Sequence, residues 1–255
     1  MKEFLVPSVQ AILRYHDFPG KGNPILFIHG LGCAGSFDYP EVMAQHELNK
    51  FHCIAVDLFG SGYSDHPEAF GYSVEDHAWC LQQLAASLHW NSYSIFGHSL
   101  GGAIALSLAN LDREKVASLI LSEANLDASQ DGSTSKYIAD QQMQSFIKTG
   151  FTQLVEESKN SGNTFWASTL SHWSPKAAYL ISKSAAEGVI PSWREVLYSL
   201  SCKKAFIFGE RSLPNPEYQE LSSQGITLEV VRNAGHSMAW ENPQGLAQAI
   251  AKALV

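Results

Sequence analysis

The segment Gly97-His98-Ser99-Leu100-Gly101 constrains the fold more than any other part of the chain. Residues 93–96 have the composition of a β-strand, and residues 103–110 have the composition and period of a helix. The chain must therefore turn from strand to helix within about five residues, with Ser99 on the turn. A serine there adopts a strained backbone that costs about 1–3 kcal/mol. The flanking glycines tolerate this turn because they lack the Cβ atoms that would collide with it.

The spacing of this turn has a chemical consequence. Gly-x-Ser-x-Gly lifts the Ser99 hydroxyl above the edge of the sheet and leaves the Leu100 N–H free at the start of a helix. Such an N–H can donate to a developing oxyanion. The alternative is a Gly/Ser turn that has no catalytic role. The strand before the turn and the helix after it disfavour this alternative. The pattern predicts that Ser99 is a nucleophile and that Leu100 N–H is an oxyanion donor.

Composition limits the class of protein and of partner. With 255 residues, 45% hydrophobic and 16% charged, the chain can bury the core of one large α/β domain or of one domain with an insertion. Its net charge is −8 and it has no basic cluster, which argues against nucleic acid or an anionic membrane as partner. No apolar run approaches the ~18–20 residues that span a bilayer. We expect a cytoplasmic protein that acts on a small molecule.

The four cysteines, Cys33, Cys53, Cys80 and Cys202, have neither C-x-x-C nor zinc-ligand spacing. No H-x-x-x-H pair occurs, and the sequence therefore predicts free thiols and no metal site.

The loop after the apolar strand 25–28 allows two interpretations. Residues 30–35 match G-x-G-x-x-G and Asp57 follows the next strand, so an NAD-dependent oxidoreductase is one alternative. Against it, aromatic residues and a proline occupy 36–40, where a phosphate-binding helix would continue. Asp57 also opens a compact Gly/Ser loop, 57–65, in which it can fix a turn by accepting backbone N–H groups. We therefore interpret Asp57 as structural.

His236 follows the alternating segment 226–231, which is typical of a last edge strand. The loop 232–235 would bring its imidazole to the same edge of the sheet as Ser99, where ligands of parallel α/β sheets bind. We predict that His236 is the general acid and base. His29 and His98 flank motif glycines, and we expect them to pack or to orient other groups.

Four motifs in this order resemble the α/β-hydrolase superfamily. They are His29-Gly30, Asp57-x-x-Gly60-x-Gly62-x-Ser64, Gly97-His98-Ser99-Leu100-Gly101-Gly102 and Gly235-His236. The resemblance implies a mostly parallel eight-stranded sheet flanked by helices, with a catalytic serine, acid and histidine in that chain order. Many members carry an aspartate where Gly209-Glu210-Arg211-Ser212 has Ser212.

The catalytic acid must therefore come from elsewhere. Glu123 follows the strand-like segment 116–122, and some members of the superfamily, including haloalkane dehalogenases, resemble this chain in carrying their acid there. We predict that Glu123 holds the tautomer of His236 and stabilises its charged form. Glu210 and Asp127 are the reserve candidates.

The nucleophile type indicates the reaction. Dehalogenases and epoxide hydrolases of this fold carry an aspartate at the position of Ser99, so a serine favours acyl transfer. The expected activity is hydrolysis of a carboxylic ester or related acyl bond of a small, largely apolar substrate, with water and without a cofactor. Leu31 N–H and Leu100 N–H would form the oxyanion hole. A ligand-binding relative with little or no catalysis is the other hypothesis.

Residues 126–200, here called the cap segment, are predicted to form a helical insertion into a core made of residues 1–125 and 201–255. Its helices are expected at 136–159, 165–170, 175–186 and 192–200. The cap segment is rich in aromatic residues, most of which should be core, while some would line an apolar pocket above Ser99. The sequence does not distinguish between a monomer and a homodimer.

Overall fold

The computed structural model describes residues 1–254. Its strands are β1 (Lys2–Val6), β2 (Ala11–Phe18), β3 (Pro24–Ile28), β4 (His52–Asp57), β5 (Tyr93–His98), β6 (Val116–Ser122), β7 (Lys203–Gly209) and β8 (Thr227–Val231). They form an eight-stranded sheet in the order β1-β2-β4-β3-β5-β6-β7-β8. β2 pairs antiparallel with β1 and β4, and every other pair is parallel. The predicted mostly parallel sheet is confirmed.

Helices cover both faces of the sheet, as the alternation along β3 requires. Leu26 and Ile28 pack into one apolar core, whereas Ile25 and Phe27 pack into a second core on the opposite face. The helices outside the cap segment are α1 (Gly35–Asp38), α2 (Pro40–Met43), α3 (Val74–Ser87), α4 (Leu100–Leu111), α11 (Pro216–Ser223), α12 (Met238–Glu241) and α13 (Pro243–Ala253), with a 3₁₀ turn at Glu210–Ser212.

The strand order creates a crevice between β3 and β5. These strands are neighbours, with Ile28 opposite Gly97, while β4 lies on the far side of β3. Loops that follow β3 and β5 therefore leave in opposite directions, and this switch point is where open α/β sheets bind ligands. The order differs from that of a dinucleotide-binding sheet, so that alternative for residues 30–35 is wrong.

The segment between β6 and β7 is helical, but one predicted helix is wrong in extent. The helices are α5 (Thr134–Ala139), α6 (Met143–Ser145), α7 (Phe151–Asn160), α8 (Thr164–Leu170), α9 (Pro175–Glu187) and α10 (Trp193–Ser199), with a π-helical turn at Phe146–Gly150. The single helix expected at 136–159 is thus divided. Gln142 leaves the helical region, at φ −72° and ψ 125°, and the π turn interrupts the regular bonding that follows.

All four cysteines are free thiols, as predicted. Within residues 1–254, no helix combines the length and apolarity needed to cross a membrane. Over the same residues, no three His, Cys, Asp or Glu side chains are grouped so that they could hold a metal ion.

Candidate active site

Ser99 lies between the end of β5 and the start of α4 in a strained conformation, with φ 53° and ψ −125°. Neighbouring backbone explains the flanking glycines. A Cβ atom on Gly97 would lie 2.6 Å from the Ala105 Cβ, and one on Gly101 would lie 2.4 Å from the His29 carbonyl oxygen. The predicted strand-turn-helix is therefore confirmed, and its glycines are required by close packing rather than by flexibility.

The structure brings Glu123 and His236 into contact. Glu123 follows β6 and His236 lies in the loop after β8, so both side chains are at the carboxyl edge of the sheet. His236 Nδ1 donates to Glu123 Oε2 over 2.7 Å, and the Gly209 N–H donates to Glu123 Oε1 over 2.9 Å. With its proton on Nδ1, the ring keeps Nε2 free as a proton acceptor.

The surroundings of Glu123 favour its ionised form. Burial alone would raise the pKa of this carboxyl, but hydrogen bonds from His236, from the Ser212 side chain and from the Gly209 N–H outweigh it. Together they lower the pKa of Glu123 from 4.5 to about 2. Sequence reasoning gave Ser212 no role. Ser212 stands where many members of the superfamily carry an aspartate, and this position was the signal that its side chain lies near the catalytic acid.

The two reserve carboxylates have other partners. Glu210 Oε2 accepts the Asn233 N–H over 2.9 Å, and Asp127 forms an ion pair with Arg194 over 2.6 Å. Neither carboxylate bonds to His236. Glu123 is the carboxylate that the fold brings to the imidazole.

Hydrogen bonds to the Gly30 carbonyl fix the start of the loop that follows β3. The Gly30 carbonyl accepts a bond from His29 Nδ1 over 2.9 Å and another from the Cys33 N–H over 3.2 Å. Since the Leu31 N–H belongs to the same peptide unit, these bonds fix the direction in which it points. Leu31 and Leu100 line one cavity with Ser99. This arrangement is compatible with the two predicted oxyanion donors.

The cap segment binds the same loop through three consecutive carbonyl oxygens. Trp166 Nε1 donates to the Leu31 carbonyl over 2.8 Å, and the buried Thr169 hydroxyl donates to the Gly32 carbonyl over 2.6 Å.

Trp173 Nε1 completes the set by donating to the Cys33 carbonyl over 2.6 Å. Because each carbonyl would otherwise lack this partner, the cap segment orders the loop that carries the Leu31 N–H. Sequence reasoning missed this role, since nothing in the spacing of these aromatic residues indicates it.

The remaining predicted orienting residues are structural. The Asp57 carboxylate accepts bonds from the Ser36 N–H, the Ser36 hydroxyl and the Tyr63 N–H, which confirms its interpretation as a turn-fixing residue. Burial chiefly lowers the pKa of His29, and it lowers that of His98 to about 3, so both rings are neutral at pH 7. The His98 ring packs 4.7 Å from the His236 ring.

Ser99, Glu123 and His236 line one cavity of about 440 Å³, here called the site cavity. Within residues 1–254 no hydrogen bond joins the Ser99 hydroxyl to the His236 ring. The lining differs from the apolar pocket expected above Ser99, because Trp166 is the one aromatic residue of the cap segment among the lining side chains. Hydroxyl and amide side chains make up much of the remaining lining.

A smaller cavity of about 30 Å³ adjoins the site cavity, and Trp166 and Ser237 line both. It contains Asp38, which is 5% exposed and accepts the indole N–H of Trp240 over 3.1 Å. Burial raises the pKa of Asp38 from 3.8 to about 7, although bonds from Cys33 and Trp240 oppose the shift. This buried acid was not anticipated from the sequence.

The fold is that of an α/β hydrolase. The family described as "alpha/beta hydrolase fold" matches residues 23–243, and the chain belongs to it. Haloalkane dehalogenase 2 of Mycobacterium tuberculosis is 31% identical over 114 residues. The match covers 45% of this chain and 39% of that protein, so the similarity spans less than half of this curated relative.

Solved structures resemble the whole chain. A thermophilic esterase from Thermogutta terrifontis superposes with a TM-score of 0.78 at 21% identity and covers 98% of this chain and 96% of its own. An esterase from Exiguobacterium antarcticum has a TM-score of 0.79 at 18% identity, with 99% and 98% covered. At such identity these structures support the fold.

Proposed function

We propose that the protein is a serine hydrolase that cleaves a carboxylic ester or related acyl bond of a small molecule through an acyl-Ser99 intermediate. The main support is the 2.7 Å bond from His236 Nδ1 to Glu123, made at the cavity that Ser99 also lines. A carboxylate in this position selects the tautomer whose Nε2 can take a proton, and it stabilises the imidazolium that results.

Acylation would begin with attack of Ser99 Oγ on the substrate carbonyl carbon while His236 Nε2 takes the hydroxyl proton. The carbonyl oxygen becomes an oxyanion that accepts bonds from the Leu31 and Leu100 N–H groups. As the tetrahedral intermediate collapses, the bond to the leaving alcohol breaks and His236 returns the proton to it. Ser99 is then esterified by the acyl group.

Deacylation repeats the sequence with water. His236 removes a proton from the water as its oxygen attacks the acyl carbon, and the same two N–H groups bind the second oxyanion. Collapse releases the carboxylic acid and returns the proton to Ser99 Oγ. Glu123 stays ionised throughout, since its lowered pKa disfavours protonation.

Two further observations support acyl transfer over other hydrolyses. The nucleophile is a serine, whereas displacement of a halide through an alkyl-enzyme ester needs a carboxylate at position 99. Structures with the same fold include named esterases. We further propose that residues 126–200 act as the cap that closes the site and that residues 1–125 and 201–255 form the catalytic core.

The test combines an active-site label with turnover. Wild type and Ser99→Ala are incubated with a fluorophosphonate, and the adduct is mapped by peptide mass spectrometry. We expect one adduct on Ser99, none in the variant, and at least about 10³-fold less hydrolysis of p-nitrophenyl butanoate by the variant. No adduct and no turnover by wild type would refute the proposal. If wild type and Ser99→Ala bound p-nitrophenyl butanoate with equal affinity and neither hydrolysed it, a non-catalytic binding protein would be favoured.

A further inference from the structure

Four uncharged hydrogen-bonding side chains line the site cavity together with Ser99. Asn125 follows β6, Thr134 and Ser135 lie in the first turn of α5, and Asn163 precedes α8. They come from three separate parts of the chain between β6 and β7. The fold brings them to one cavity with the predicted nucleophile.

These side chains have hydrogen-bonding capacity that the protein does not use. Within residues 1–254, the hydroxyls of Thr134 and Ser135, the Asn125 side-chain oxygen and the whole Asn163 amide have no hydrogen-bond partner. Thr134 and Asn163 are exposed and Ser135 is 7% exposed, so a ligand in the cavity can reach these groups. A hydrogen bond from a ligand to an uncharged group of this kind contributes about 0.5–1.5 kcal/mol net.

The position of Asn163 is a second observation that supports a binding role for these side chains. The residues that precede the next two cap helices, Ser174 and Ser192, each accept a capping bond from the helix backbone. Asn163 occupies the equivalent position before α8 and caps nothing. Asparagine is among the best capping residues, so its side chain forgoes about 1 kcal/mol of helix stabilisation while it lines the cavity.

The charge of the lining narrows the ligand class. Glu123 and His236 are the ionisable side chains among the lining residues, and they are bonded to each other. A charged substrate group beside these four side chains would therefore find no counter-ion among the lining residues. Hydroxyl and amide groups of the protein match neutral donors and acceptors, such as alcohols and amides.

We propose that Asn125, Thr134, Ser135 and Asn163 form a specificity wall that binds a neutral hydroxyl- or amide-bearing half of the substrate. This inference rests on the proposed ester hydrolysis at Ser99 and narrows its substrate class. The favoured substrates are short polar esters, and simple alkyl esters of equal length are the disfavoured ones. This differs from the expected apolar substrate, because only Leu31, Leu100 and Trp166 contribute large apolar side chains to the lining.

The test uses two pairs of esters matched in chain length. The acyl pair is the p-nitrophenyl ester of N-acetylglycine against p-nitrophenyl pentanoate. The alcohol pair is 2-acetamidoethyl acetate against pentyl acetate. The kcat/KM ratio within each pair is measured for wild type, Ser135→Ala and Asn163→Leu, so that intrinsic reactivity and the folded fraction cancel between proteins. Asn160→Leu, an exposed asparagine at the end of α7 outside the lining, is the matched control.

We expect each wall variant to lower the polar-to-alkyl ratio about 2- to 10-fold in one of the two pairs, with no change in Asn160→Leu. The pair that responds identifies the half of the substrate on the wall. Unchanged ratios in both pairs, with normal turnover of the alkyl esters, would overturn the specificity wall and leave ester hydrolysis intact. Absence of turnover together with absence of Ser99 labelling would instead refute the proposed function.

Discussion

Replacement of Glu123 by glutamine tests the arrangement of the site most directly. Glutamine keeps the size of the side chain, and its carbonyl oxygen can still accept the Gly209 N–H. Its NH₂ group would then face His236 Nδ1 and donate to it, which moves the ring proton to Nε2. In that tautomer the ring cannot take the Ser99 proton. We expect kcat for p-nitrophenyl butanoate to fall about 10³- to 10⁴-fold.

The same substitution has a calculable effect on stability. Glu123 is 11% exposed, and its pKa is lowered from 4.5 to about 2, which corresponds to about 3 kcal/mol. Because the folded pKa is the lower one, this stabilisation is complete above the unfolded pKa and is lost as pH falls from about 4.5 towards 2. The unfolding free energy of wild type should therefore exceed that of Glu123→Gln more at pH 7 than at pH 3.

Glu210→Gln is the matched control, since it removes a carboxylate that bonds to the Asn233 N–H and not to His236. Steady-state kinetics should show its kcat within about twofold of wild type, and urea titrations at both pH values measure the stability of all three proteins. The reasoning is refuted if Glu210→Gln loses more activity than Glu123→Gln, or if the stability gap for Glu123→Gln widens at low pH.

Three further substitutions give distinct expectations. The raised folded pKa of Asp38 means that wild-type stability declines as pH rises from about 4 through about 7, and Asp38→Asn should avoid this decline. Between urea titrations at pH 5 and pH 8, the variant should gain about 3 kcal/mol in unfolding free energy relative to wild type. Thr169→Val leaves the Gly32 carbonyl without its 2.6 Å donor, and we expect a loss of about 1–3 kcal/mol in urea titrations with a lower kcat. Gly101→Ala places a Cβ atom against the His29 carbonyl oxygen. We expect its free energy of unfolding, measured by urea titration, to be about 1–3 kcal/mol lower than that of wild type.

Local pattern was enough to predict the parts of the site that depend on local geometry. The strand-turn-helix at Ser99 follows from apolar period and glycine spacing within a few residues. Because parallel strands all end at the same edge of a sheet, the positions of Glu123 and His236 after their strands also predicted that they would meet. The division of the helix expected at 136–159 was missed, since helical period alone does not reveal that the backbone of Gln142 is extended.

The amino-acid sequence by itself determined the sheet, the strained turn and the carboxyl edge at which the polar side chains collect. Tertiary structure alone decided that the cap segment donates to the Leu31, Gly32 and Cys33 carbonyls, that Asp38 is buried beside the site, and that polar side chains from residues 125–163 line the site cavity. The physical reason is that these contacts are made by side chains on helices and loops, whose places in space depend on how whole helices pack against the sheet and not on any local period or on the shared edge where parallel strands end.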